Sequence, residues 1–134
     1  MGERTSQGNV GKAIICAFAV TLFINFFVLD IMIAEGHSMA PAIKPGTILL
    51  VCKVFYGIKL PGASSYLIKW RTPMEGQVLV FHTPLGEIAV KRCVEVFPEA
   101  YFYVLGDNSS ESYDSRDYGP VPFNNIIGRV LGIR

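Results

Sequence analysis

The stretch Glu-Ile-Ala-Val-Lys-Arg-Cys-Val-Glu-Val, residues 87–96, decides the fold. It is rich in β-branched residues and follows a turn that contains proline and glycine, which predicts a β-strand. Because side chains alternate across a strand, Lys91 is expected on the same face as Ala89 and Cys93. Val90 falls on the opposite face. The strand therefore presents one lysine among small, weakly polar neighbours.

Four further stretches have a similar composition and are bounded by proline, glycine or polar residues. They cover residues 48–54, 77–81, 101–105 and 126–133. Short strands without a helical period indicate a mainly β, compact domain, and about 100 residues suffice for one small core. The irregular stretch 55–75 is rich in aromatic residues, which fit an ordinary core as well as a membrane interface.

An apolar run precedes these strands. Residues 13–29 carry no charge, and beyond Asp30 the run continues to Ala34. A membrane-spanning helix needs about 20 such residues, and a run that is apolar on all sides is not typical of a helix at a protein surface. A cleaved signal peptide is the alternative, but Met32 and Ala34 match its cleavage site poorly. We therefore expect an uncleaved transmembrane signal anchor at 13–34.

The charges that flank the run predict its orientation. Arg4 and Lys12 precede it, whereas Asp30 and Glu35 follow it. The excess of basic residues on the first side predicts a cytoplasmic N-terminus and a single pass through the cell (inner or plasma) membrane. The expected organisation is a cytoplasmic segment at 1–12, the anchor at 13–34 and an extracytoplasmic domain at 35–134.

Charge and cysteine content limit the classes of function. The net charge of +1 gives no basic footprint for nucleic acid. The three cysteines, Cys16, Cys52 and Cys93, form no CxxC pair, so a metal site is not predicted. A disulfide between Cys52 and Cys93 and two buried free thiols both fit the sequence.

Ser38 lies in a loop directly after the apolar run. Most serines in such loops are turn residues, and neither His37 nor His82 fits the order of a Ser/His/Asp triad. A serine without histidine needs another base. Lysine can be that base only when neutral, and burial lowers its pKa from about 10.4. Lys91 is the candidate, although a lysine placed on an edge strand to prevent aggregation is an equal reading of its position.

The polar segment from Gly106 to Gly119 changes this balance. Ser-Met-x-Pro at 38–41 after a membrane segment, Lys-Arg at 91–92 on a strand, and Gly-Asp-Asn at 106–108 with Ser-x-Asp-Ser-Arg at 112–116 resemble the type I signal peptidases. These are membrane-bound serine/lysine endopeptidases that remove signal peptides. The resemblance extends over most of the chain, and it implies a signal-peptidase-like β-fold with one N-terminal transmembrane helix.

The resemblance also implies a role for each matching residue. Ser38 would be the nucleophile, Lys91 the general base, and Ser112 the residue that orients the lysine amine. Structural support of the site is implied for Asp107, Asn108, Asp114 and Arg116, and lining of the substrate pocket for Met39 and Val90. Backbone N–H groups, including that of Ser38, would stabilise the oxyanion, because Gly36 offers no hydroxyl. No cofactor and no metal are implied.

The implied function is that of signal peptidase I, which removes N-terminal signal peptides from secretory preproteins during export. The expected partners are the lipid bilayer and preproteins with small residues at positions −1 and −3 of the cleavage site. One alternative is a specialised processing protease with a single dedicated substrate. Another is a non-catalytic, membrane-anchored homologue, although such a protein is expected to have lost Ser38 or Lys91.

Overall fold

The N-terminal part of the chain is one long helix. The computed structural model describes residues 4–98 and 100–133, with side chains described for 8–98 and 100–132. Helix α1 covers Arg4–Phe23 and continues as a π-helical segment over Ile24–Val28. Its apolar part, Gly8–Val28, has 21 residues and a mean hydropathy of 2.0, and none of it is buried against the rest of the protein. By length and composition, this helix can cross a membrane.

Residues 29–33 differ from the sequence expectation. They form strand β1, Leu29–Ile33, so the helix ends at Val28 and not near the end of the expected segment 13–34. β1 pairs with β2, Ile48–Cys52, in an antiparallel register. The run of apolar residues hid this change, because an apolar strand and a membrane helix can share the same composition.

Lys53 fastens the end of the helix to the sheet. Its backbone N–H donates to the Val28 carbonyl at 2.8 Å, and its ammonium donates to the Phe26 carbonyl at 2.6 Å. The same ammonium lies 3.5 Å from the Asp30 carboxylate. These bonds satisfy carbonyls that a helix leaves unpaired at its C-terminus. Because Lys53 directly follows β2, they hold the end of the helix next to the end of that strand.

Seven strands form one antiparallel sheet in the order β1-β2-β9-β5-β6-β7-β8, and a separate hairpin contains β3 and β4. Beyond β1 and β2, the strands are β3 (Gly57–Ile58), β4 (Ile68–Lys69), β5 (Val78–His82), β6 (Ile88–Phe97), β7 (Tyr101–Leu105), β8 (Val121–Pro122) and β9 (Ile126–Ile133). The five stretches predicted as strands correspond to β2, β5, β6, β7 and β9. With 35% strand and 23% helix, the predicted mainly β class is confirmed.

The middle of the sheet is covered on both faces. Leu79, Val80 and Phe81 follow one another on β5 and all are fully buried, although neighbouring side chains of a strand point to opposite faces. Leu79 and Phe81 belong to one apolar core, which includes Phe102, whereas Val80 belongs to a second core with Met39. The second core holds the loop after β1 against the sheet.

All three cysteines are free thiols. Cys93 is fully buried in the first core, and Cys52 is half-buried on β2. Of the two possibilities that the sequence left open, the structure contains the unpaired thiols. Burial raises the pKa of the Cys93 thiol to about 11, which keeps it protonated and unreactive at neutral pH.

Candidate active site

Ser38 lies in the loop between β1 and β2, and a second loop holds it in place. The Asn108 backbone N–H donates to the Ser38 carbonyl at 2.9 Å, and the Asn108 side chain donates to the His37 carbonyl at 3.2 Å. The Ile43 N–H closes the same loop onto the Met39 carbonyl at 2.8 Å. Two segments far apart in the chain therefore fix the position of the Ser38 side chain.

Lys91 projects from β6 to this serine. Its Nζ donates to Ser38 Oγ at 2.5 Å, and the lysine is only 6% exposed. Burial lowers the pKa of Lys91, while the negative charge of Asp114 partly opposes that shift. The lowered pKa makes the neutral amine easier to reach, and the short distance lets it accept the hydroxyl proton.

The alternation predicted along β6 is present in the structure. Ala89 packs against the first core and Cys93 lies within it, whereas Val90 packs against the second core. Lys91 lies between the half-buried Ala89 and the buried Cys93 on the strand and is itself buried, and this burial lowers the pKa of its amine.

Asp114 is the hydrogen-bond centre of the loop between β7 and helix α2, Ser115–Tyr118. Its carboxylate is fully buried and accepts from Gly106 N at 2.9 Å, from Ser112 Oγ at 2.6 Å and from the Arg116 side chain at 2.9 and 2.8 Å. Burial would raise the pKa of Asp114, but these donors outweigh it and hold the pKa well below its ordinary value. The carboxylate is therefore held in its charged form at neutral pH.

Ser112 lies in this network and not directly on the lysine. Its hydroxyl donates to Asp114, and no hydrogen bond joins it to Lys91 in the part of the chain that the structure describes. A Cβ at Gly106 would overlap the Ser112 side chain and the Ser38 carbonyl. Ser112 and Ser38 are thus brought together across Gly106, and an orienting role for Ser112 remains a prediction.

Asp107 binds a residue that the sequence did not assign to the site. Arg92 Nε donates to Asp107 Oδ1 at 2.9 Å, and Arg92 Nη2 donates to Oδ2 at 2.7 Å. This two-pronged ion pair ties the loop to β6, one residue beyond Lys91. The sequence did show an arginine beside the candidate base. Its partner, Asp107, follows the end of β7, and the local sequence pattern around Arg92 does not identify it.

An open cleft of about 610 Å³ contains the Ser38–Lys91 pair. Met39 and Val90, which were expected in a substrate pocket, line it. The sequence did not identify several other lining residues, which are Met32, Ile33, Ala34, Ile43 and Tyr113. The first three were missed because they were assigned to the membrane segment. Within residues 4–98 and 100–133, no group of three His, Cys, Asp or Glu side chains is arranged to hold a metal ion.

A hydroxyl that is hydrogen-bonded to a buried amine in an open cleft has the chemistry of a serine nucleophile with an amine base. A family model described as signal peptidase, peptidase S26, matches residues 7–99 and 89–133 of this chain. The chain therefore belongs to the signal peptidase S26 family of serine endopeptidases, in which signal peptides are processed.

Individual relatives come from different membranes. Signal peptidase I of Bacillus caldolyticus is 26% identical over 85% of this chain and 84% of its own length. Mitochondrial inner membrane protease subunit 1 of Xenopus tropicalis is 32% identical over 78% of this chain and 68% of its own length. Probable thylakoidal processing peptidase 2 of Arabidopsis thaliana is 39% identical over 46% of this chain, which spans only 18% of that protein.

Proposed function

We propose that this protein is a type I signal peptidase that cleaves signal peptides from secretory preproteins with a Ser38–Lys91 dyad. The observation that carries the proposal is the hydrogen bond from the buried Lys91 amine to the Ser38 hydroxyl. A lysine that only prevents aggregation of an edge strand would be charged and solvated, and it would not need a serine hydroxyl as its partner. Burial that lowers its pKa gives the residue the property that a general base requires.

In the proposed reaction, Ser38 Oγ attacks the carbonyl carbon of the −1 residue while its proton passes to Lys91 Nζ. The Ser38 N–H donates to no acceptor within the described part of the chain, so it is available to the oxyanion. When the tetrahedral intermediate collapses, Lys91 returns the proton to the leaving amine. A water molecule then hydrolyses the acyl-enzyme, with Lys91 as base again, and Ser38 recovers its proton.

The substrate is proposed to bind as an added strand. β1 is an edge of the sheet, and residues 88–91 of β6 pair with β5 on one side only, since pairing with β7 begins at Arg92. Two unpaired strand edges therefore border the cleft. An extended peptide between them would form backbone hydrogen bonds with both edges. The buried side chain of Met39 beside Val90 leaves room for small residues at −1 and −3.

The membrane location is proposed on the helix. None of Gly8–Val28 is buried, and its exposed side chains include Ile14, Phe18 and Leu22, which would be costly in water. Lys12 directly precedes the uncharged run 13–29 and Asp30 directly follows it, which supports a cytoplasmic N-terminus and a catalytic domain outside the cell (inner or plasma) membrane. A shared bilayer confines enzyme and preprotein to one surface and raises their effective concentration.

The test is cleavage of a purified preprotein by the full chain in detergent. Ser38→Ala and Lys91→Ala are each expected to abolish cleavage, a loss of at least about 10³-fold, because neither half of a nucleophile–base pair works alone. Ser65→Ala and Lys44→Ala change exposed residues of the same types and are expected to retain full activity.

Sequencing of the product must place the cut after a small residue at −1. Retained cleavage in either dyad variant would refute the mechanism. A panel of unrelated preproteins separates a general enzyme, which cleaves many of them, from one with a dedicated substrate. Absence of cleavage by the folded wild type across that panel would favour the non-catalytic homologue.

A further inference from the structure

A second cleft, of about 590 Å³, shares no residue with the active-site cleft. It lies beside the hairpin of β3 and β4 and is lined by Phe55, Lys69, Trp70, Arg71, Thr72, Met74 and Gln77. The proposed proteolysis uses none of these residues. Three properties of the cleft bear on what it could bind.

The first property is an unpaired buried amide. Gln77 is only 7% exposed, and its Oε1 accepts from Tyr56 Oη at 2.6 Å and from Met74 N at 3.1 Å. The Met74 N–H requires an acceptor, so the amide cannot be turned around. Its Nε2 is left without a partner among the described residues. A buried donor without an acceptor is costly, and an acceptor brought by a ligand would remove that cost.

The second property is uncompensated positive charge. The guanidinium of Arg71 lies 5.0 Å from the centre of the Phe55 ring, and that of Arg129 lies 4.6 Å from the same ring. No carboxylate forms an ion pair with either arginine in the described part of the chain. Arg129 Nε is also buried without a hydrogen-bond partner. Arg71, which lines the cleft, is thus a cation without a carboxylate partner among the described residues, and an anion in the cleft would supply one.

The third property is position. Phe55 follows Lys53 by two residues, at most about 7 Å along the chain, and the Lys53 N–H is bonded to the last carbonyl of the membrane-length helix. Headgroups of a bilayer begin where a spanning helix leaves the hydrocarbon. Trp70 and Met74 at the rim are 50% and 60% exposed, and a half-exposed tryptophan is typical of this interface.

We propose that this cleft binds the phosphate headgroup of an anionic phospholipid. Arg71 supplies the positive charge, Gln77 supplies a polar side chain in the lining, and Trp70 and Met74 contact the lipid glycerol and upper acyl chain. A soluble phosphate offers the same acceptors, but it would not need the exposed apolar rim. The bound lipid would hold the catalytic domain at the membrane surface.

Trp70 is the only tryptophan in the chain, so its fluorescence reports on this cleft alone. The full chain is reconstituted in nanodiscs that contain either brominated phosphatidylglycerol or brominated phosphatidylcholine, at equal total bromine and equal overall lipid composition. Bromine quenches tryptophan only at short range. We expect stronger quenching by the brominated anionic lipid, with a local enrichment of up to about fivefold, as one basic residue near an anionic surface typically provides.

Arg71→Gln is expected to make the two lipids quench equally, and Lys44→Gln, which removes one exposed positive charge elsewhere, is expected to keep the preference. Arg71 is exposed, so its replacement should leave the fold intact, and Arg71→Lys should retain part of the preference. Equal quenching in the wild type, or an undiminished preference in Arg71→Gln, would overturn the proposal.

Inorganic phosphate, titrated into phosphatidylcholine nanodiscs, distinguishes the two sources of the anion. A saturable change in Trp70 emission at millimolar phosphate would assign the cleft to a soluble anion and overturn the lipid assignment. Cleavage by Ser38 does not enter either readout. The lipid site and the proposed peptidase function can therefore fail independently.

Discussion

At the residue scale, two opposed effects set the protonation of Lys91. Burial lowers the pKa of its amine, and the charge of Asp114 raises it. Asp114 can exert this effect because its own pKa is held low by donors from Arg116, Gly106 and Ser112. The carboxylate therefore limits how far the lysine pKa falls, while its hydrogen bonds also set the shape of the loop around the nucleophile.

This balance predicts a pH dependence. In the proposed mechanism the neutral amine is the base, so kcat/KM should rise with pH and level off above the lowered pKa of Lys91, below its ordinary value of about 10.4. Asp114→Asn removes the charge that favours the ammonium form, so the rising limb should move to lower pH. Asp107→Asn removes a nearby carboxylate that does not perturb Lys91 and should leave the limb in place.

The measurement is kcat/KM for preprotein cleavage across the pH range in which each variant stays folded. Asp114→Asn should also lower kcat. It should lower the free energy of unfolding by about 1 to 3 kcal/mol, because it disturbs a buried acceptor. The position of the limb separates the electrostatic effect from this structural loss. A limb that moves to higher pH in Asp114→Asn would contradict the account of Lys91.

At the element scale, the strands that carry the sheet could be predicted from sequence, and their exceptions have physical reasons. Short apolar runs between turns predicted β2, β5, β6, β7 and β9. β1 was missed because its residues continue the apolar run of the helix, and β3, β4 and β8 were missed because a strand of two residues has no pattern. The Arg92–Asp107 pair depends on β6 and β7 being neighbours, which no local pattern shows.

The candidate site was predictable to a similar extent. Ser38 and Lys91 were identified from the requirement for a neutral base and from the resemblance of the flanking motifs. Their contact, the hydrogen bond from Ser112 to Asp114, and the contribution of β1 to the cleft depend on long-range packing. Composition determines which groups are available, whereas tertiary structure determines which of them meet.

Gly106, at the end of β7, gives a prediction at this scale. Gly106→Ala would place a methyl group against the Ser38 carbonyl and the Ser112 side chain, so the two loops must separate. We expect a loss of about 1 to 3 kcal/mol in unfolding free energy together with a large fall in kcat. Gly132→Ala on β9 meets no atom within 4 Å and is the matched control.

Thermal unfolding and cleavage kinetics are measured on the same preparations of both glycine variants. Full activity in Gly106→Ala would show that close contact between the loops is not needed for catalysis. A loss in Gly132→Ala as large as that in Gly106→Ala would show that the effect arises from the sheet in general and not from the site.

At the scale of the whole molecule, an unburied apolar helix leads directly into a sheet whose open cleft holds the reactive pair. The helix end is fastened to β2 through Lys53, and β1, the strand that follows the helix, also lines the cleft. The proposed lipid site lies close to the same junction. With the proposed membrane-spanning helix, this arrangement would put the cleft near the membrane surface, where a signal peptide that is still in the bilayer would present its cleavage site.

The most direct test of the central claim is to locate the acyl-enzyme. The full chain in nanodiscs is mixed with a preprotein, quenched in acid within a turnover, digested and analysed by mass spectrometry. We predict that the peptide containing Ser38 carries the signal peptide as an ester, and that Ser38→Ala and Lys91→Ala yield no such adduct. An adduct on another residue, or continued cleavage by Ser38→Ala, would contradict the assignment of Ser38 as the nucleophile.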